Sequence, residues 1–202
     1  MQYDPRSEPH TLKHNPATAL VVPRPIGWIT TVGPSGVVNL APYSFFNMVA
    51  GNPPFVIFSS STRKHSQANA ETSGEFVLNM ATYDLRNEMN LTSGVYDDTV
   101  SEPELAKLEM TPSRYVKPPR VARSPIALEC NYLRTIEMVG STGKRSTSSL
   151  ILGEVINVYI DDSVIVDGQI DVTRIRPLAR LGYMDYSVVD SVFSMMRPGG
   201  GG

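Results

Sequence analysis

The stretch from Arg24 to Asn47, "RPIGWITTVGPSGVVNLAPYSFFN", contains two runs of β-branched and aromatic residues separated by Pro34-Ser35-Gly36. Such runs favour strands, while proline presets φ and glycine accepts a positive φ in a tight turn. The stretch therefore predicts a β-hairpin. Its threonines, serine and asparagine also make it more polar than an ordinary core strand, which raises the question of what these side chains contact.

Further segments along the chain have the composition of strands. Gly153 inside the last long one predicts a bend or bulge. A shorter piece, "GQIDVTRI" (168–175), is also predicted as strand. The long segments are "PPFVIFSS" (53–60), "EFVLNMA" (75–81), "IALECNYLRTIEM" (126–138) and "SLILGEVINVYI" (149–160).

Three shorter segments have helical patterns. We expect hydroxyl residues to cap the first at its start, Gly74 to end it, and Ser101 with Glu104 to form a capping box in the third. Residues 82–119 are predicted as an inserted, loop-rich region. The helical segments are "STRKHSQANAETSG" (61–74), "TYDLRNEMNL" (82–91) and "SEPELAKL" (101–108).

Strand patterns thus outnumber helical ones, so the predicted fold class is mainly β with antiparallel strands and a few short helices. A length of 202 residues fits one domain, which we expect to span residues 1–197. The remaining 198–202 form a glycine-rich tail, predicted to be flexible because it has no core-forming residues.

Composition excludes several functional classes. The formal net charge is −2 and no block rich in Lys or Arg occurs, which argues against nucleic-acid binding. Cys130 is the single cysteine, so neither an internal disulfide nor a cysteine-rich zinc site is expected, and no metal ligand set is predicted. No apolar run approaches the ~18 residues of a membrane span. A cytoplasmic location without membrane contact is the expectation.

Common catalytic motifs are also missing. "GSTGK" (140–144) lacks the spacing of a phosphate-binding P-loop and fits a hairpin turn, and no G-x-G-x-x-G follows a strand. The three histidines, His10, His14 and His65, do not accompany a nucleophile elbow. Acyl-transfer chemistry and a Rossmann nucleotide site are therefore disfavoured.

A second polar segment, "SSSTRKHS" (59–66), lies where a predicted strand gives way to a helix. A helix N-terminus carries unpaired N–H groups and about half a positive charge, which suits a phosphate dianion when hydroxyls and cations accompany it. The simpler alternative is a capped helix with exposed cations. These residues alone leave both interpretations open.

The chain also contains an ordered set of motifs that is similar to that of a known family. The chain contains R-P-x-x-W-I-T-T, then N-x-A-P-Y-S-F-F-N, then P-P, K-x-S-x-x-N and T-x-G-E-F-V-x-N, followed by "SPIALEC", "LGEV" and "PLARLG". In this order they resemble the flavin reductase-like family of FMN-binding split barrels, which includes reductase components of two-component flavin monooxygenases and flavoredoxins. The similarity covers most of the chain.

The resemblance implies an antiparallel split barrel that forms a homodimer and binds one FMN at each subunit interface. Three groups of cofactor-binding residues follow from it by position. Trp28, Thr30 and Thr31 are expected beside the isoalloxazine ring. Ser44, Phe45 and Asn47 are expected at its pyrimidine edge. The phosphate is expected to contact Ser59, Ser60, Lys64, His65 and Ser66.

The activity implied is hydride transfer from NAD(P)H to flavin, with reduced flavin passing to a partner monooxygenase. No catalytic side chain is assigned. Arg180 and Tyr186 are further candidates for the open side of the flavin. Many such reductases have a histidine just before the "GEV" strand, where this chain has only serines in "STSSLILGEV". Two alternatives stay open: an electron-transfer protein with fixed FMN, and a split barrel that binds another ligand without catalysis.

Overall fold

A computed structural model describes residues 1–199 of the chain. Of the tail predicted to be flexible, residues 200–202 lie outside the described residues. Strands predominate, as the sequence predicts, and the helices are short. The strands are β1 (Arg24–Pro25), β2 (Gly27–Val32), β3 (Val38–Tyr43), β4 (Phe46–Gly51), β5 (Pro54–Ser61), β6 (Glu75–Met80), β7 (Met110–Thr111), β8 (Arg120–Val121), β9 (Ile126–Val139), β10 (Arg145–Ile160), β11 (Ile165–Val166), β12 (Gln169–Ile170), β13 (Leu178–Arg180) and β14 (Tyr186–Val188).

Within residues 1–199, four α-helices and three 3₁₀ turns accompany these strands. The 3₁₀ turns span Ala17–Ala19, Tyr83–Leu85 and Asp162–Val164. The α-helices are α1 (His65–Ser73), α2 (Arg86–Leu91), α3 (Glu102–Leu105) and α4 (Val172–Ile175). All three helices predicted from the sequence are therefore present, and α4 is additional.

Seven strands form the main sheet in the order β3-β2-β6-β9-β10-β5-β4, with every neighbouring pair antiparallel. The sheet curls on itself. Its strands β3 and β5 are far apart in the sheet order, yet Tyr43 on β3 contacts Phe58 on β5 with 4.9 Å between ring centroids. The inner apolar cluster fills this curve. It contains Ile29, Tyr43, Val56, Phe58, Ala70, Phe76, Leu78, Cys130, Ile151 and Val155.

A second apolar cluster lies on the other side of β2, beneath residues 82–121 and β13. It contains Ile26, Trp28, Leu40, Ala81, Leu85, Met89, Val121 and Leu178. Because both faces of β2 are covered, its side chains are buried from Gly27 to Thr31. The predicted hairpin between β2 and β3 is confirmed, with Gly36 at a φ of 85° in the turn.

Gly153 interrupts the pairing of β9 and β10, as the sequence predicts. The register shifts between Leu152 and Gly153, which pair with Arg134 and Tyr132, so Leu133 on β9 is the extra residue of the bulge. A Cβ at Gly153 would lie 2.3 Å from the Phe76 ring, so only glycine lets β10 approach the core this closely opposite the bulge.

Two local predictions were wrong. "GQIDVTRI" does not continue as strand, because Asp171 caps helix α4 by accepting a hydrogen bond from the Thr173 N–H at 2.9 Å. Neither α1 nor α3 begins with a side-chain cap, although Gly74 ends α1 as expected with a φ of 76°. Lys64 occupies the N-cap position of α1 and cannot accept a hydrogen bond, so the first N–H groups of the helix have no side-chain partner at the cap.

Glu129 holds the loop at residues 113–118 against the sheet. Its carboxylate is 5% exposed and accepts hydrogen bonds from the Arg114 N–H at 2.8 Å, the Tyr115 N–H at 2.7 Å and Asn157 Nδ2 at 2.9 Å. Burial acts most strongly and would raise the pKa of Glu129, yet these hydrogen bonds outweigh it and lower that pKa. The charged form is therefore the one that the fold stabilises.

Replacing Glu129 by Gln should lower the free energy of unfolding at pH 7 by about 1–3 kcal/mol, because the amide cannot accept both loop N–H groups. The wild-type advantage should be present at neutral pH and disappear as the pH falls through the lowered pKa of folded Glu129, where the carboxylate is protonated. Urea unfolding at pH 7 and pH 3 measures this difference. Glu109→Gln, at an exposed position, is the control and should match wild type at both pH values.

Candidate functional site

The N-terminus of α1 opens into a pocket of about 410 Å³. Thr62 to Ser66 form one wall, β3 forms the floor, and the inserted segment forms the opposite wall. The lining residues are Asn39, Ala41, Pro42, Tyr43, Thr62, Arg63, Lys64, His65, Ser66, Thr92, Ser93, Gly94, Val95, Tyr96 and Glu102. Because α1 has no side-chain cap and follows Lys64, the pocket presents backbone N–H donors together with positive charge.

The cations of this wall differ in how they are paired. Arg63 Nε lies 2.7 Å from Glu71 Oε2, so its charge is partly balanced. Lys64 makes no ion pair with any residue in the described range 1–199. Lys64 is therefore the cation best placed to balance a bound anion.

Three polar residues join the floor of the pocket to its walls. The Asn39 amide on β3 lies 2.8 Å from Ser66 Oγ on α1. With its oxygen turned toward Ser66, the same amide donates to Glu102 Oε1 at 3.3 Å. Glu102 Oε2 in turn accepts from the Leu40 N–H at 3.1 Å. These bonds connect β3, α1 and α3.

Glu102 is 4% exposed and has no cationic partner within ion-pair distance in the described structure. Burial raises the pKa of Glu102 above its ordinary value, although the N–H of Leu40 and the nearby His65 oppose that shift.

A second pocket of about 530 Å³ adjoins the first, since Pro42 and Ser93 line both. Its lining residues are Thr18, Arg24, Ile26, Pro42, Ser44, Met89, Asn90, Ser93, Arg180, Tyr183, Met184 and Tyr186. Two arginines and no carboxylate are among them. Arg180 and Tyr186, named from the sequence as candidates, lie together here, with the Arg180 Cζ 4.4 Å from the Tyr186 ring centroid.

The predicted phosphate residues are distributed over two places. Lys64, His65 and Ser66 line the first pocket. Ser60 is buried and its hydroxyl donates to the Thr62 carbonyl at 2.9 Å, which holds the loop before α1. Ser59 is half-buried on β5, and its N–H donates to the Phe45 carbonyl at 2.8 Å.

The residues expected at the ring's pyrimidine edge lie at one edge of the sheet. Ser44 lines the second pocket. Phe45 is 58% exposed and lies under the Arg24 guanidinium, with 5.4 Å from Cζ to the ring centroid. Asn47 is exposed on β4, and its Oδ1 accepts from the Met48 N–H at 2.9 Å.

Trp28, Thr30 and Thr31 have no exposed surface. Trp28 Nε1 donates to Thr92 Oγ1 at 2.9 Å, and the two threonine hydroxyls accept from Asn79 at 2.8 Å and Asn69 at 3.2 Å. In this structure they support the pockets from behind and do not line them, because the inserted segment and α1 cover β2 on either face.

Asn39 and Glu102 were missed as site residues from the sequence. Asn39 opens the N-x-A-P-Y-S-F-F-N motif, so its signal was present but was not assigned to a contact. Glu102 carried only a helix-start pattern, and its place in the pocket depends on how residues 92–102 pack on β3.

No cluster of three or more His, Cys, Asp or Glu side chains that could hold a metal ion occurs within residues 1–199. In the same range, none of the helices has the length and apolar character needed to cross a membrane.

Residues 19–178 match the family model described as "Flavin reductase like domain". The chain belongs to the flavin reductase-like family. A relative from Halalkalibacterium halodurans, named as an uncharacterized protein, is 34% identical over 183 residues, which is 88% of this chain and 87% of the relative.

Solved structures agree with the fold. Nitrilotriacetate monooxygenase component B from Bacillus cereus superposes with a TM-score of 0.88 at 29% identity, covering 96% of this chain and 98% of that one. A protein from Shewanella frigidimarina with a split barrel domain has a TM-score of 0.78 at 22% identity, covering 90% and 89%. The split-barrel fold expected from the sequence is thereby confirmed.

Proposed function

We propose that this chain, as a single domain over residues 1–197, is a flavin reductase that binds FMN and takes reducing equivalents from NAD(P)H. The observation that carries the proposal is the first pocket, where the uncapped start of α1, Lys64 and Ser66 face a floor of Ala41 and Pro42. The family's oxidoreductase character supports it.

The residues of the first pocket, together with Ser44 of the second, fit FMN. The phosphate would be held by the N–H groups at the start of α1 with Lys64, since charge-assisted hydrogen bonds are the strongest kind. The pockets, at about 410 and 530 Å³, have the size of small-molecule sites. Ala41 and Pro42 give an apolar surface for the ring, and Ser44 offers polar groups for its edge.

Bound FMN would supply the redox chemistry, accepting a hydride from the nicotinamide. The protein's residues would bind, orient and shield. Positive charge at α1 fixes the phosphate end, backbone groups near Ser44 stabilise negative charge at the ring's edge, and residues 92–96 limit the access of water to the first pocket.

A homodimer is part of the proposal. Phe45, Met48 and Val49 are 58%, 49% and 51% exposed and lie on or next to β4, the end strand of the main sheet, just after Ser44 of the second pocket. An apolar patch of this kind marks an interaction surface. A second copy seated there would cover Phe45 and close the open side of the flavin.

Transfer of reduced flavin to a partner monooxygenase in the cytoplasm is the role we infer, because the chain is similar over nearly its full length to a monooxygenase component B. A fixed-FMN electron carrier is the competing function, and the serines before the "GEV" strand, where many reductases have a histidine, favour it.

The first test is NADH and NADPH oxidation with and without added FMN. We expect oxidation of at least one donor to rise with free FMN, because a reductase that releases its flavin uses it as a substrate. Tightly bound FMN with no oxidation of either donor would support the electron carrier instead. Purified protein that binds no flavin would contradict both.

The phosphate contact is tested by Lys64→Ala. Loss of one charged partner costs about 1.5–3 kcal/mol, so the Kd for FMN should rise roughly 10- to 150-fold while the Kd for riboflavin, which lacks the phosphate, should change little. Fluorescence titration measures both constants. The exposed hairpin variant Lys144→Ala is the matched control, and equal FMN affinity in the two variants would refute the assignment.

The dimer is tested by Val49→Asp. A buried carboxylate in the interface should shift the protein from dimer to monomer, since an unpaired charge there is costly to desolvate. Analytical ultracentrifugation measures the mass, and the same samples should show weaker FMN binding. Val192→Asp, which places the same charge at another exposed valine, should leave the dimer intact; a wild-type protein that sediments as a monomer would contradict the proposal.

A further inference from the structure

The second pocket contains two arginines that face each other directly. In the antiparallel pairing of β1 with β13, Arg24 is the partner of Arg180. Like charges at directly opposed positions destabilise a sheet. The fold therefore keeps at this position a pair that strand pairing alone disfavours.

Neither charge is balanced by an acid. Within residues 1–199, no carboxylate lies within ion-pair distance of Arg24 or Arg180, and none lines the pocket. Arg24 is only 7% exposed, and its guanidinium donates to the carbonyls of Thr18, Val21 and Leu181. Burial, and to a smaller extent the nearby Arg180, lower the pKa of Arg24.

Arg24 also retains an unused donor. Its Nε is buried and has no hydrogen-bond partner. Arg180 uses one N–H for the Tyr183 carbonyl and rests on the Tyr186 ring. The remaining donors of Arg180, in the planar fork that matches carboxylate and phosphate oxygens, belong to a residue that lines the pocket beside Tyr183 and Tyr186.

We propose that Arg24 and Arg180 form an oxyanion subsite for the second substrate, the molecule that exchanges electrons with the flavin. This inference rests on the proposed function, because FMN has one phosphate and α1 would already hold it. The oxyanion must then come from another molecule. The shared chemistry is a phosphate or carboxylate group next to a planar ring, either the pyrophosphate of a nicotinamide dinucleotide or the carboxylate of an aromatic acceptor.

The test titrates FMN-saturated protein calorimetrically with inorganic pyrophosphate and, separately, with benzoate. We expect one probe to bind, and Arg180→Gln to weaken it at least 10-fold while the Kd for FMN stays within 2-fold. Arg180→Lys should recover part of the affinity. Arg145→Gln, which removes the same charge at the exposed β9–β10 hairpin, is the control. Arg180 is the residue to change, since loss of Arg24 also removes three contacts that hold the fold.

Pyrophosphate binding, with a raised KM for NAD(P)H and an unchanged kcat in Arg180→Gln, would identify the dinucleotide. Benzoate binding would identify a carboxylate acceptor. The subsite is refuted if neither probe binds, if Arg180→Gln and Arg145→Gln behave alike, or if Arg180→Gln weakens FMN itself. If the protein binds no FMN, the proposed function fails. The Lys64→Ala variant, which lacks the cation of the first pocket, is then titrated with the same two probes and still shows whether the arginine pair binds an oxyanion.

Discussion

The wall of the first pocket depends on two buried hydrogen bonds that hold residues 92–121 to the barrel. Trp28 Nε1 donates to Thr92 Oγ1 at 2.9 Å, and the Val121 N–H donates to Asn79 Oδ1 at 2.8 Å. Each contributes only about 1 kcal/mol net, but leaving a buried donor unpaired costs about 1–3 kcal/mol. Register errors of the insertion are thereby penalised, and the segment from Thr92 to Glu102 is placed over β3.

Asn79 also explains why the hairpin of β2 and β3 contains a buried threonine. Asn79 also donates to the Trp28 carbonyl at 3.0 Å and to Thr30 Oγ1 at 2.8 Å, so one amide side chain joins β2, β6 and β8. Strand propensity predicted the hairpin, and the order of the motifs indicated that it takes part in the cofactor site. Which side chains face a ligand depends on the insertion covering β2, and that contact between distant segments leaves no local signal.

Local sequence features predicted the backbone conformation correctly where that conformation has a local cause. Gly153 lies opposite the bulge because only glycine fits against Phe76 there, and Gly74 ends α1 because it takes a positive φ. The capping prediction failed at α1 because the helix begins one residue after Lys64, so the N-cap position holds a side chain that cannot accept a hydrogen bond. Ser60, ahead of the helix, instead donates to the Thr62 carbonyl. The failure is informative, since an uncapped helix start is what an anion site requires.

Both pockets contain cations without an acidic partner. Some arginines elsewhere pair with acids, as in Arg123 with Glu88 at 3.4 Å or Arg174 with Asp171 at 3.4 Å. Around the pockets, Lys64, Arg24 and Arg180 have no acid within ion-pair distance among residues 1–199, and the one buried carboxyl, Glu102, has a raised pKa. Departures from local pairing rules concentrate at functional sites. Because Pro42 and Ser93 join the two pockets, the unbalanced charge forms one continuous surface suited to two anionic groups.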